Sequence, residues 1–290
     1  MIKNKSLSKL IMSCLCLLVS QTALATKENK RPNILVILTD DMGYADVGFN
    51  GSKDIRTPNL DELAAKGVVL TSAYNAHPFC GPSRAGIMTG RYPHKFGSQF
   101  NLPTSNRSGG LGIPTSETFI SEVLQDSGYK TAAIGKWHLG FQEKFLPINQ
   151  GFDIFYGIPF SNDMSKKEQD IYGNTDYKWK LPLMSQKDTI ELDPNQKYLT
   201  KNLTNKAVEF IENNKSKPFF LDIDALYLDD VKFVKDDKVS GQFLSVKVPK
   251  GKILIDELNL DKPILLTHDW GGALGWIYAH RFADKISQLV

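Results

Sequence analysis

Cysteine is scarce in this 290-residue chain: there are three, and Cys14 and Cys16 both lie in the first 25 positions. Cys80 is therefore left without a disulfide partner in the remainder, which excludes a disulfide framework and points to a cysteine kept for reactivity. Acidic residues are absent from the first 25 positions, which hold Lys3, Lys5 and Lys9. Since the formal net charge is +3, the rest of the chain is neutral, and nothing in its charge argues for a nucleic-acid partner. No apolar run is long enough to span a bilayer, so no stable membrane partner is expected. Hydrophobic residues make up 41%, enough to bury the core of one large domain or two ordinary ones.

The first 25 residues read as a signal peptide. A lysine-bearing start leads into an apolar run from Leu10 to Val19, and Ala23-Leu24-Ala25 supplies a small-x-small cleavage site. The expected mature chain starts at Thr26 and is exported to the periplasm or secreted.

Downstream, Asn33-Ile-Leu-Val-Ile-Leu-Thr39 reads as a buried, parallel strand. Asp40 and Asp41 follow at its carboxyl end, where open α/β sheets place their ligands. Adjacent carboxylates suit a hard cation, calcium or magnesium, but aspartates after a strand are also ordinary turn residues. The residues alone leave both readings open. Thr57 to Gly67 carries a capping threonine, Pro58 at the first helical position and a terminating glycine, and predicts a scaffold helix. Val68 to Tyr74 is expected to be a strand leading to Cys80-Gly-Pro-Ser-Arg-Ala-Gly-Ile-Met-Thr-Gly-Arg91. Ser83 to Met88 is expected to be helical, with Cys80 just ahead, where unpaired N–H groups and the helix dipole favour negative charge. Arg84 adds a cation with a fork of donors suited to a tetrahedral oxyanion. His77 and His94 flank this turn and read as local hydrogen-bonding residues.

Thr115 to Gly128 predicts an amphipathic helix with Phe119, Ile120, Val123 and Leu124 on one face, and Tyr129 to Ile134 the next strand. Gly135-Lys-Trp-His-Leu-Gly140 follows. In an extended chain Lys136 and His138 point to one side and Trp137 to the other. A cation and an imidazole at a sheet mouth suit anion binding and proton transfer, although a surface lysine and a packed histidine is the commoner outcome. Gly151 to Gly157 is a candidate strand, residues 161–197 a polar surface insertion, Tyr198 to Asn213 a helix with Leu203, Ala207, Phe210 and Ile211 inward, and Lys217 to Leu221 a further strand.

Several of these strings together resemble the type I sulfatases: Cys-x-Pro-Ser-Arg followed by Thr-Gly-Arg, Arg-Pro-Asn-Ile with Thr-Asp-Asp, the Thr57 helix, Gly135 to Gly140, and Lys217 to Leu221. The resemblance covers about 31–221. It implies an α/β fold, an alkaline-phosphatase-like three-layer sandwich on a mainly parallel sheet. It also implies that a formylglycine-generating or anaerobic sulfatase-maturating enzyme oxidises Cys80 to formylglycine, whose hydrate attacks the sulfur of a sulfate ester. Asp40, Asp41 and the modified Cys80 are implied as ligands of calcium, or of magnesium. Arg84, Lys136 and His138 are implied as catalytic residues, and a sulfated small molecule or polysaccharide as substrate. The family also uses a later histidine, an Asp-Asn pair and a lysine. This chain has no histidine between His138 and His268 and no Asp-Asn pair after Leu221, so the sandwich and its metal site are expected to be incomplete and turnover impaired.

The last part is different. Val246 to Ile255 is an expected hairpin. Lys262-Pro-Ile-Leu-Leu-Thr-His-Asp-Trp-Gly-Gly-Ala-Leu-Gly-Trp276 resembles the strand, nucleophile elbow and helix of haloalkane dehalogenases and epoxide hydrolases, in the α/β-hydrolase family. There Asp269 would be the nucleophile, with no base within reach, because His280 would sit on the elbow helix. The expected organisation is thus a signal peptide at 1–25, a sulfatase-like domain at 26–228, and a junction with an α/β-hydrolase-like fragment at 229–290. A third possibility is an inactive hybrid that only binds metal or sulfated ligands.

Overall fold

A computed structural model describes residues 31–104, 110–171, 173–174, 176–225, 232–233, 264–267 and 274–277. The signal peptide, the hairpin expected at 246–255, Asp269 and His280 lie outside the described residues. In chain order the strands are β1 (Ile34–Thr39), β2 (Ile55–Arg56), β3 (Val68–Val69), β4 (Lys130–Lys136), β5 (Ile154–Ile158), β6 (Pro182–Ser185), β7 (Asp188–Leu192), β8 (Phe219–Ala225), β9 (Lys232–Phe233), β10 (Ile264–Thr267) and β11 (Leu274–Ile277). The helices are α1 (Pro58–Lys66), α2 (Cys80–Thr89), α3 (Ile120–Asp126), α4 (Lys166–Ile171) and α5 (Gln196–Asn214).

Nine of these strands form one sheet in the order β3-β11-β10-β1-β8-β4-β5-β6-β7. The central pairs β10–β1, β1–β8, β8–β4 and β4–β5 are parallel, whereas the outer pairs are antiparallel. The register sets Ile34 of β1 opposite Phe220 and Thr39 opposite Ala225, so β1 and β8 end side by side.

Alternation along the strands builds the layers, because successive side chains point to opposite faces. Leu35, Ala132, Ile134, Phe219, Leu221 and Ile223 pack on one face against Leu199, Leu203, Ala207, Phe210 and Ile211 of α5. Val36, Ala133 and Phe220 pack on the other face with Ala85 and Met88 of α2, and with Phe119 and Trp137. Helix, sheet, helix is the three-layer arrangement expected, and the sheet is mainly parallel at its centre.

Several elements differ from the reading of the sequence. The strand from Val68 to Tyr74 is confined to Val68–Val69. The Thr115–Gly128 helix shrinks to Ile120–Asp126, with Phe119 as its N-cap residue, its N–H bonded to Glu122 Oε2. That entry turns Phe119 into the core and leaves Ile120 and Val123 exposed. Residues 161–197 are no simple surface insertion. Leu181, Leu183 and Met184 are buried, and Pro182–Ser185 is a sheet strand, because its apolar residues close the sheet beyond β5. At the other edge, Leu274–Ile277 is an antiparallel strand on β10, where an elbow would continue into a helix. Gly275 weakens a helix there by about 1 kcal/mol relative to alanine, and Trp276 and Ile277 favour strands.

Candidate active site

The site is gathered at the carboxyl ends of β1, β4 and β8, with α2 pointing its amino terminus at them. Phe79 is the N-cap residue of α2, so Cys80 is the first helical residue and Pro82 the third, one turn earlier than the sequence suggests. Ser83 N–H closes the first turn on Phe79 O at 3.0 Å. The Cys80 thiol is then held from two sides. Its Sγ lies 3.3 Å from His138 Nδ1 and 3.5 Å from Asn101 Oδ1, and Gly81 N–H donates to the same Asn101 oxygen at 2.8 Å.

His138 follows β4 and has φ 57, a left-handed conformation that non-glycine residues adopt only when their surroundings fix it. Its Nε2 faces Leu102 O at 3.3 Å. A carbonyl only accepts, so Nε2 carries the proton and Nδ1 turns a lone pair towards Cys80. Burial, then the cations Lys136 and Arg84, push its pKa down to about 3, so the ring is neutral at physiological pH. Trp137 points the other way, as expected. It is buried against Phe119 and Phe152 and donates from Nε1 to Phe145 O at 2.8 Å.

Asp40 and Asp41 follow β1. Asp41 is exposed, with φ 54, while Asp40 is turned inward. Lys136 Nζ reaches Asp40 Oδ2 at 2.6 Å, and Arg84 Nη2 lies 3.3 Å from Oδ1. Lys136 is thus a buried partner of Asp40 rather than a surface lysine. Arg84 is also buried, and its fork is turned to protein groups rather than to an open anion seat. Nη1 donates to Lys136 O at 2.8 Å and pairs with the carboxylate of Asp224. Burial opposes its charge, but Asp224 and Asp40 outweigh that and raise its pKa above the usual value.

Asp224, Asp222 and Asn101 were not picked out from the sequence. The two aspartates lie on one face of β8, two residues apart, and both are buried. An Asp-x-Asp pair at the carboxyl end of an apolar strand was the available signal. Burial raises the pKa of Asp222 to about 7, helped by Asp224 and opposed by Arg84. Burial also raises Asp224, to about 6, with Arg84 opposing and Asp40 assisting. Among the described residues, Asp222 Oδ1 and both oxygens of Asp224 have no hydrogen-bond partner, Asp224 Oδ2 being held by its ion pair with Arg84. Gly135 has φ 126 and makes room for this arrangement, since a Cβ there would fall 2.5 Å from Asp224 Cβ and O.

Of the residues singled out in the sequence, Cys80, Arg84, Lys136, His138 and Asp40 are drawn together, and Asp41 lies beside them on the solvent side. Asp269 is outside the described residues. His77 is engaged locally, its Nδ1 accepting from Phe79 N–H at 3.1 Å. A cavity of about 220 Å³ opens next to Gly81 and His138, walled by Phe96, Phe100, Leu102, Leu111 and Ile113.

The chain is similar to known proteins over most of its described length. A family model described as Sulfatase matches residues 32–223. Arylsulfatase G of Rattus norvegicus is 37% identical over 212 residues, 66% of this chain and 40% of that protein. N-acetylgalactosamine-6-sulfatase of Mus musculus is 36% identical over 209 residues, 68% of this chain and 40% of that protein. Among solved structures, Ps i-CgsB is 35% identical with a TM-score of 0.62, covering 82% of this chain and 58% of that one. The same protein has been solved in complex with k-i-k-neocarrahexaose. The chain therefore spans about 40% of the length of the curated relatives it matches. With its family match over most of the described residues and its fold shared with these structures, the chain belongs to the sulfatase family.

Proposed function

We propose that the chain holds the nucleophile side of a sulfatase site and acts on sulfate monoesters through formylglycine made from Cys80. The observation that carries this reading is the placement of Cys80 at the start of α2, 3.3 Å from a neutral histidine nitrogen and beside the buried ions of Asp40, Lys136 and Arg84. Formylglycine would supply a hydrated aldehyde, one hydroxyl attacking sulfur while the alcohol departs, the other losing its proton as the aldehyde re-forms and sulfate leaves.

This chain's own residues orient that group and set its electrostatics. His138 Nδ1 is placed to accept a hydrogen bond from a hydroxyl at position 80, and Leu102 O fixes the tautomer that allows it. Asn101 holds the first turn of α2 through Gly81 N–H. Lys136 and Arg84 hold Asp40 in one orientation, and the apolar cavity beside His138 gives room for the alcohol part of an ester.

A divalent cation fits the donor chemistry in part. Asp40 and Asp41 are hard oxygen donors, as calcium or magnesium requires. No group of three or more His, Cys, Asp or Glu able to hold a metal occurs among the described residues, so these two carboxylates supply only part of a shell. Bound there, the cation would polarise the sulfate oxygens, and weak binding with impaired turnover is the expectation.

The relatives are named for aryl and N-acetylgalactosamine sulfates, and one structural neighbour has been solved with k-i-k-neocarrahexaose. That supports a sulfated saccharide, with aryl sulfates as convenient probes. Export after removal of residues 1–25, and a formylglycine-generating or anaerobic sulfatase-maturating enzyme as partner, belong to the same proposal. So does a sulfatase-like domain over 26–228 followed by a distinct segment at 229–290. The test is co-expression with a maturation enzyme, tryptic mass spectrometry of the Cys80 peptide, and an aryl sulfate assay of parent and Cys80→Ala. Aldehyde at position 80 and slow hydrolysis abolished by Cys80→Ala are expected. Thiol alone after competent co-expression, or hydrolysis indifferent to Cys80→Ala, would overturn the reading.

A further inference from the structure

The buried pair of Arg84 with Asp224 is not explained by holding a sulfate ester. Both side chains are almost wholly buried, at 4% and 3% exposure, and they are turned to each other rather than to solvent. The charged groups facing one another here come from four elements. Asp40 follows β1, Arg84 lies on α2, Lys136 ends β4, and Asp224 lies on β8. His138 is neutral, and Asp222, which adds negative charge only above about pH 7, lies on the same strand face as Asp224. Two cations and two carboxylates therefore meet in one buried cluster.

We infer that Asp224 is a charge-setting and positioning residue: by pairing with Arg84 Nη1 it cancels the charge that Arg84 would otherwise lend to an anion beside Cys80. This rests on the reading of Cys80 and its neighbours as an anion site. With Asp224 ionised, the cluster of Asp40, Arg84, Lys136 and Asp224 sums to zero, and the exposed Asp41 adds a further negative charge. The charged side chains then offer a sulfate group no net positive charge, which leaves the amino terminus of α2 and any bound divalent cation as its sources of attraction. Asp224 also fixes the guanidinium in the plane that leaves Nη2 for Asp40. Low local dielectric makes each charge count for more than it would on a surface. Removing a buried carboxylate should therefore strengthen anion binding, the opposite of what loss of a structural brace does.

The experiment is calorimetric titration with inorganic sulfate, in chelator, of parent, Asp224→Asn and Asp224→Glu carrying unmodified Cys80. Asp224→Asn is nearly isosteric and neutral, and Asp224→Glu keeps the charge. Sulfate should bind Asp224→Asn at least ~10-fold more tightly than parent, with Asp224→Glu close to parent. A folded Asp224→Asn with unchanged or weaker sulfate binding would overturn the inference. If Asp224→Asn does not fold, the parent decides: sulfate affinity weaker than ~10 mM in chelator supports the neutral cluster, and sub-millimolar affinity overturns it. None of these readouts needs formylglycine or turnover, so absence of hydrolysis would count against the proposed function and leave this inference standing.

Discussion

Asp222 is the residue whose cost is clearest. It faces the same layer as Val36 and Ala133, its register partners on the two neighbouring strands, and both of those are buried apolar residues. Burying a carboxylate without a full set of partners favours its neutral form, which is why its pKa rises to about 7. The sign for stability follows. A group whose folded pKa is raised contributes stability that is fully present below its unfolded pKa of about 4 and is lost as pH rises to its folded value. For Asp222 the loss runs from about pH 4 to about pH 7. Asp222→Asn should therefore unfold at nearly the parent's denaturant midpoint at about pH 4, where the loss is only beginning. At pH 8 it should be more stable than parent by about 1–3 kcal/mol. Urea unfolding at the two pH values checks this, and equal stability at pH 8 would show that Asp222 is hydrated or paired there.

At the scale of elements, the junction of β4 with β8 carries the site, and Gly135 is its narrowest point. The register sets Ile134 opposite Ile223, so Gly135 lies against Asp224. Its φ of 126 is a conformation that residues with a Cβ rarely adopt, and the added methyl carbon would meet backbone. Gly135→Ala should cost about 2–4 kcal/mol in urea unfolding and loosen the Arg84 pair with it. A cost under ~0.5 kcal/mol would mean that β4 and β8 separate easily. The elements framing this junction were largely legible in the sequence. The run Ile34–Thr39, the α2 signature and the α5 pattern of Leu203, Ala207, Phe210 and Ile211 each carry their own period. The exact start of α2 was not, because Pro82 fits the third helical position as well as the first. Residues 182–185 were missed for another reason: Leu183 and Met184 are buried by the sheet edge they join, not by any alternation of their own. Asp222 and Asp224 escaped notice because a strand reading that stops at Leu221 never asks where the next side chains point.

For the molecule as a whole, binding of a cation to the folded chain is linked to its stability. On the proposed reading Asp40 and Asp41 would be the carboxylates offered to a cation, and no group of three or more His, Cys, Asp or Glu able to hold a metal occurs among the described residues. Calcium prefers six to eight oxygens, so a site of two carboxylates and water should bind at about millimolar strength, as open extracellular sites do. A ligand that binds only the folded state adds RT ln(1 + [L]/Kd) to its stability. With Kd near ~1 mM and ~10 mM calcium, that is about 1.4 kcal/mol. For a chain of this size it corresponds to a rise in Tm of about 3–5 °C. Asp40→Ala/Asp41→Ala should abolish the rise, although its own Tm will be lower, since Lys136 and Arg84 lose the carboxylate that pairs them. The comparison is therefore between shifts with and without calcium, not between absolute midpoints. Magnesium should give a smaller shift, because it demands a near-octahedral shell and parts with its water reluctantly. A calcium shift that survived the double substitution would place the cation elsewhere on the molecule. No shift in the parent would mean that Lys136 and Arg84 already satisfy Asp40, and that these two aspartates without further ligands do not hold the ion.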